Sequence, residues 1–191
     1  MKNWGYRGRL KSKNLNTIFS SMSEKDIEKI IQSDLSKYFE FIPMVKGKHF
    51  SGKTLEIDFI IKPIDNSLWK KQDIVFGLEF KDLDRFDKKG DTTDFTKWIA
   101  QCVDYSNTDW NNYGYINILT CPGISTSTFM EAAYSSSFVL RILGHLGVGE
   151  LKNTTNYGWA IFLHEQHRMW SEKEGVSSGK NWNLSRKFGS R

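Results

Sequence analysis

Leu55-Glu56-Ile57-Asp58-Phe59-Ile60-Ile61-Lys62 and Ile74-Val75-Phe76-Gly77-Leu78-Glu79-Phe80-Lys81 are two apolar, β-rich runs with acids set inside them. Side chains alternate along a strand, so Glu79 and Lys81 share one face while Phe80 takes the other. A lone carboxylate buried in such a strand is unfavourable unless something compensates it. Two carboxylates brought together by adjacent strands would also repel, each raising the other's pKa. A divalent cation removes both problems, and oxygen ligands from Asp58 and Glu79 suit Mg²⁺. Lys81, two residues from one ligand, would then orient or deprotonate a water. The alternative is an ion pair of Lys81 with the two acids and no chemistry.

Working outward, Glu40–Val45, Thr54–Lys62 and Ile74–Lys81 read as strands, with Gly47–Gly52 punctuating the first pair and Pro63–Asn66 opening the next turn. Ahead of them, Ser23–Phe39 reads as a helix: Ser23 is an N-cap, Asp26 sits three residues on, and Ile27, Ile30, Ile31, Leu35 and Tyr38 recur at helical spacing. At 100° per residue, Glu24 falls within about 60° of Ile27, Ile31, Leu35 and Tyr38. It therefore lies on the face that packs toward the sheet, with Glu28 at the edge of that face. Either acid could instead simply complement the helix dipole. Downstream, Asp94–Ser106 reads as a helix, Tyr113–Cys121 as a strand, Thr128–Leu146 as a helix, and Tyr157–Leu163 as a strand running on to His167. The order α-β-β-β-α-β-α-β predicts an α/β protein, a mixed sheet covered by helices.

The order helix-Glu24, strand-Asp58, strand-Glu79-x-Lys81 resembles the PD-(D/E)XK nuclease superfamily, which includes type II restriction enzymes, Holliday-junction resolvases and RecB-type nucleases. Gln101 and Tyr105 on the next helix form a Q-x-x-x-Y spacing that looks like the RecB-type variant, and residues four apart share a helix face. The likeness covers roughly Ser23–Cys121. Leu55-Glu56-Ile57 precedes Asp58 where the motif's name has Pro, and the four cysteines of the CRISPR-associated RecB-type nucleases are absent. The resemblance implies a restriction-endonuclease-like α-β-β-β-α-β core and a metal-dependent deoxyribonuclease, using Mg²⁺ with Mn²⁺ as a substitute. It implies that Asp58, Glu79 and the Phe80 carbonyl hold the metal and that Glu24 binds a second ion or its water shell. Lys81 would position the attacking water, and Gln101 would fix water or phosphate.

The chain has 191 residues, enough for one domain. Net charge is +5, but it is unevenly placed: residues 1–14 carry Lys2, Arg7, Arg9, Lys11 and Lys13 with no acid, residues 168–191 are also net basic, and the body between them is net acidic. This divides the chain into a basic N-terminal extension (1–22), an α/β domain (23–167) and a basic C-terminal tail (168–191). Arg7, Arg9, Lys11, Lys13, Arg186 and Lys187, with Tyr105, are the expected contacts to a DNA partner; solubility alone could also account for basic ends. Two Cys exclude a disulfide scaffold and a four-cysteine metal site. No apolar run reaches the length of a membrane span and the N-terminus lacks a signal-peptide core, so the expectation is a cytoplasmic protein without a membrane partner, compatible with a homo-oligomer.

Other motifs fit poorly. His164-Glu165-Gln166-His167 has i, i+3 spacing where a helical zinc pair needs i, i+4. Gly144–Gly149 follows a helix and reads as a helix stop. Cys102 reads as packing. Trp4, Trp110, Trp170 and Trp182, in polar or basic surroundings, could stack on unpaired bases or pack in the core.

Overall fold

A computed structural model describes residues 22–82, 92–126, 136–164 and 167–177. Among these, α1 is Glu24–Leu35, β1 Phe39–His49, β2 Thr54–Pro63, β3 Phe76–Phe80, α2 Thr92–Ser106, β4 Thr108–Trp110 and β5 Asn117–Cys121. After a short 3-10 turn at Ile124–Thr126 come α3 Ser136–His145, β6 Val148–Thr154, β7 Gly158–Leu163, β8 His167–Ser171 and β9 Gly175–Val176. The strands form one mixed sheet in the order β4-β1-β2-β3-β5-β6-β7-β8-β9. Its centre is parallel, with β3 beside β5 and β5 beside β6; both wings are antiparallel.

Helices cover both faces because the central strands β3 and β5 are buried on both sides. Ile27, Ile31 and Leu35, one turn apart on α1, pack with Phe76, Leu78 and Phe80 of β3. Phe95, Trp98, Cys102 and Tyr105 of α2 pack with Leu140 and Leu143 of α3 on the opposite face. Gly77 faces α2, and a Cβ there would stand 2.5 Å from the Ile57 methyl and 2.6 Å from that of Ile118, so glycine lets those side chains close over β3. Two residues on, the same face carries Glu79.

The helix at Ser23 starts as expected: the Ser23 hydroxyl accepts from the Asp26 N–H at 3.3 Å and donates to its carboxylate at 2.7 Å. It stops at Leu35, however, and Phe39 opens β1. Gly47 does not end a strand but lies inside β1, where β4 approaches too closely for a Cβ (2.7 Å to the Trp110 ring). Tyr113–Ile116 is turn, and β5 begins at Asn117. β7 does not run on to His167. The chain reverses at His164, whose φ is 51°, and β8 returns antiparallel. The sheet thus continues past residue 167 as far as Val176. β4 and β6 were not expected from the sequence. Residues 128–135 of the expected 128–146 helix lie outside the described residues. No helix among the described residues is long and apolar enough to cross a membrane.

Candidate active site

The site forms where the β2–β3 ladder ends. The register pairs Phe59 with Leu78, Ile60 with Gly77 and Ile61 with Phe76. One step further, Asp58 stands opposite Glu79, and directly opposed residues of antiparallel strands share a face. There the Asp58 side chain takes over from the ladder: its Oδ2 accepts from the Phe80 N–H at 2.9 Å.

Glu79 is 3% exposed. Its Oε1 accepts from the Gln101 amide at 2.9 Å, while its Oε2 is buried without a hydrogen-bond partner. The same Gln101 nitrogen donates to the Tyr105 hydroxyl at 2.7 Å, so the i, i+4 pair on α2 acts as one bracket. Burial, then the charge of Asp58, pushes the Glu79 carboxyl up to about 8 against the opposing pull of Lys81. Burial and the nearby Glu79 charge also raise the Tyr105 phenol.

The Lys81 ammonium stands 3.8 Å from Glu24 Oε1 and 3.9 Å from Glu79 Oε1. Both distances exceed a hydrogen bond. A tight ion pair would have held the Glu79 carboxyl down; at this separation burial and Asp58 prevail. Glu24 also receives the Asp82 N–H at 3.4 Å. Glu28 instead accepts from Gln32 at 3.0 Å on its own helix, so Glu24 is the helical acid of this cluster.

The structure therefore brings together Glu24, Asp58, Glu79, Lys81, Gln101 and Tyr105 from α1, β2, β3 with the residue that follows it, and α2. Arg7, Arg9, Lys11, Lys13, Arg186 and Lys187 lie outside the described residues, as do Trp4 and Trp182. Trp110 and Trp170 are not available to bases. Trp110 is fully buried with its indole N–H on the Tyr105 carbonyl at 3.1 Å, and Trp170 packs edge-on against Phe39. Cys102 is fully buried, and burial raises its thiol pKa, which opposes a nucleophilic role. His164 and His167, their ring centroids 5.8 Å apart, flank the β7–β8 turn, not a helix face.

A second Glu-x-Lys, Glu150-Leu151-Lys152, escaped the sequence reading because β6 did. The register Glu79↔Thr120↔Glu150 puts both acids in one row across the sheet. Searching every strand-compatible stretch for that tripeptide would have found it.

As for a metal, among the described residues no three His, Cys, Asp or Glu side chains converge as a ready-made cage. Mg²⁺ needs only one or two carboxylates, since it keeps several waters. Two facing carboxylates, one with a buried oxygen lacking a partner, fit that requirement. The chain matches no protein-family model, no curated protein and no solved structure.

Proposed function

We propose that this protein is a metal-dependent nuclease of PD-(D/E)XK type that hydrolyses DNA phosphodiester bonds. The observation that carries the reading is the buried Glu79 opposite Asp58, with Oε2 unpartnered and a carboxyl pushed up to about 8. Such a pair is poorly stabilised by its own neighbours and well suited to a cation. The succession α1, β1, β2, β3, α2, β5, with β5 parallel to β3, supports a restriction-endonuclease-like core.

The residues that would hold Mg²⁺ are Asp58 and Glu79, with the Phe80 carbonyl, and Glu24 would serve a second ion or its waters. A bound divalent ion supplies Lewis-acid stabilisation of the charge that develops on the scissile phosphate and lowers the pKa of the attacking water. Gln101 fixes Glu79 by holding Oε1, and Tyr105 fixes Gln101. Lys81, held near two acids but hydrogen-bonded to neither, keeps its three donors for a water or a phosphate oxygen. Its partner Glu24, at 3.8 Å, keeps the ammonium over the site.

The test is incubation with circular and linear, single- and double-stranded DNA in Mg²⁺, Mn²⁺ or EDTA. Cleavage that needs the divalent ion and disappears in Asp58→Ala is the expected result. An intact substrate under every condition would leave a binding or protein-interaction module on this fold, and an active Asp58→Ala protein would mean the ion is held elsewhere.

A further inference from the structure

The β1–β2 hairpin does not stop where the site does. The β2–β3 ladder ends at Phe59, whereas β1 and β2 remain paired out to Lys48↔Thr54. Four residues separate Asp58 from Thr54, so the arm extends ~13 Å beyond the acids at about 3.3 Å per residue. β4 braces it through Gly47↔Trp110, Lys48↔Asp109 and His49↔Thr108.

The tip of this arm is built and then left open. Gly52 (φ 86°) donates its N–H to the His49 carbonyl at 2.8 Å, and the His49 N–H reaches the Lys53 carbonyl at 2.9 Å, closing the turn. The His49 ring is buried, bonded to the Ser51 hydroxyl at 2.7 Å and facing Asp104 at 3.9 Å. Upon that fixed ring lies Phe50, with centroids 4.1 Å apart, and Phe50 is 76% exposed. A phenyl ring left in water forgoes the burial that normally stabilises it. Around it, Lys46, Lys48 and Lys53 are exposed; Lys46 has Glu56 at 3.8 Å, Lys48 stands in register with Asp109 of β4 without an ion pair, and Lys53 forms none among the described residues.

We propose that this arm is a nucleic-acid contact in which Phe50 stacks on an unpaired base while Lys48 and Lys53 hold the flanking phosphates. An aromatic face between cations is the chemistry that grips a single strand without reading sequence. The arm's reach places the stacked base ~13 Å from Asp58 and Glu79. The inference rests on the nuclease reading for its substrate, and it narrows that substrate to DNA with a single-stranded segment beside the cut. A protein partner would suit the exposed ring but makes less use of two exposed lysines, Lys48 and Lys53, that form no ion pair among the described residues.

The test is binding in EDTA, so that chemistry does not intervene, using a fluorescent single-stranded oligonucleotide and a blunt duplex as probes. Phe50→Ala should weaken single-strand binding by about tenfold or more and blunt-duplex binding much less. Phe50→Tyr should retain binding, and Phe50→Leu, which lacks a π-face, should not. Lys48→Ala with Lys53→Ala should reduce the salt slope for the single strand by roughly 0.7 per lysine. Thermal melts of all variants should match the parent, because the altered side chains are exposed. Unchanged single-strand binding in Phe50→Ala overturns the arm, as does a Phe50 effect seen only on self-association in gel filtration. If DNA is cleaved with the divalent ion but Phe50 is silent, the arm falls and the nuclease reading stands. If single strands bind through Phe50 but are never cut, the nuclease reading falls and the arm stands.

Discussion

Glu79-x-Lys81 and Glu150-x-Lys152 have the same spacing, lie on the same sheet face in one cross-strand row, and bury their acids to 3% and 2% exposure. Their surroundings diverge. Lys152 reaches Glu150 Oε2 at 2.8 Å and the Ser125 hydroxyl at 2.7 Å, and the Ser125 N–H meets Glu150 Oε1 at 2.6 Å. The Phe162 ring lies 4.8 Å from the ammonium. Both oxygens of that acid are satisfied, and the triad is closed. At Glu79 the lysine stands off at 3.9 Å, one oxygen has no partner, and Asp58 adds a second negative charge. The tripeptide is thus compatible with either a structural salt bridge or a reactive centre. What distinguishes them is whether the adjoining strand or loop brings a donor or another acid.

The sharpest way to break this contrast is to remove each acid and assay cleavage. Asp58→Ala or Glu79→Ala should abolish it and should remove Mn²⁺ binding in calorimetry, whereas Glu150→Gln should cleave like the parent. Equal losses from both pairs would erase the distinction. Stability should respond in the opposite sense. Glu150→Ala leaves Lys152 charged and largely buried, at a cost of about 3 kcal/mol in urea unfolding. Glu79→Ala should be close to neutral, because it removes a buried carboxyl whose Oε2 has no hydrogen-bond partner.

The lysines sharpen the contrast further. Lys81→Met should lower single-turnover cleavage by ~10²-fold without moving the melting temperature, and Lys81→Arg should rescue little, its planar fork being ill suited to a water. Lys152→Met should do the reverse, sparing the rate while lowering the melting temperature. A pH titration adds a weaker signature. Glu79 holds its proton up to about 8 when folded, well above an unfolded glutamate near 4.5. Between those values the native state binds more protons than the unfolded one, so stability from this group is complete below about 4.5 and declines as pH rises to about 8. Melting temperatures in EDTA should fall over that window and flatten in Glu79→Gln; an identical profile in that variant would remove Glu79 as the cause. Smallest of all, Ser23→Ala should cost about 1 kcal/mol through loss of the α1 cap beside Glu24, read from denaturant midpoints.

The Glu79 half of this comparison was legible because its signals are local. Asp58 and Glu79 are charges in apolar strands, Ile27, Ile31 and Leu35 mark the buried face next to Glu24, and Gln101 and Tyr105 lie one turn apart. The closed triad was illegible because half of its compensation is distant: Glu150 and Lys152 make β6 look polar, and Ser125, 25 residues earlier, completes the hydrogen bonds that let both be largely buried. β4, with three residues, is a strand only because Gly47 admits Trp110 against β1. The reversal at His164 had no glycine to announce it. Trp110 and Trp170 are flanked by polar residues in sequence, yet tertiary packing, not their neighbours, decides their burial.

The parallel centre of the sheet has a consequence in time. Every side chain of the candidate site lies between Glu24 and Tyr105, but all five residues of β3 pair with β5, and only three of them with β2. A parallel partner must be delivered by a crossover, here the whole of α2, and such long-range pairing forms slowly. A ribosome that has just released Tyr105 has therefore produced every side chain of the candidate site but not the support that holds Glu79 opposite Asp58. The pairing of Glu79 with Asp58 must wait for Asn117–Cys121 to be synthesised and docked, so the nascent chain passes through an interval in which the acids of the candidate site exist without the strand that sets them face to face.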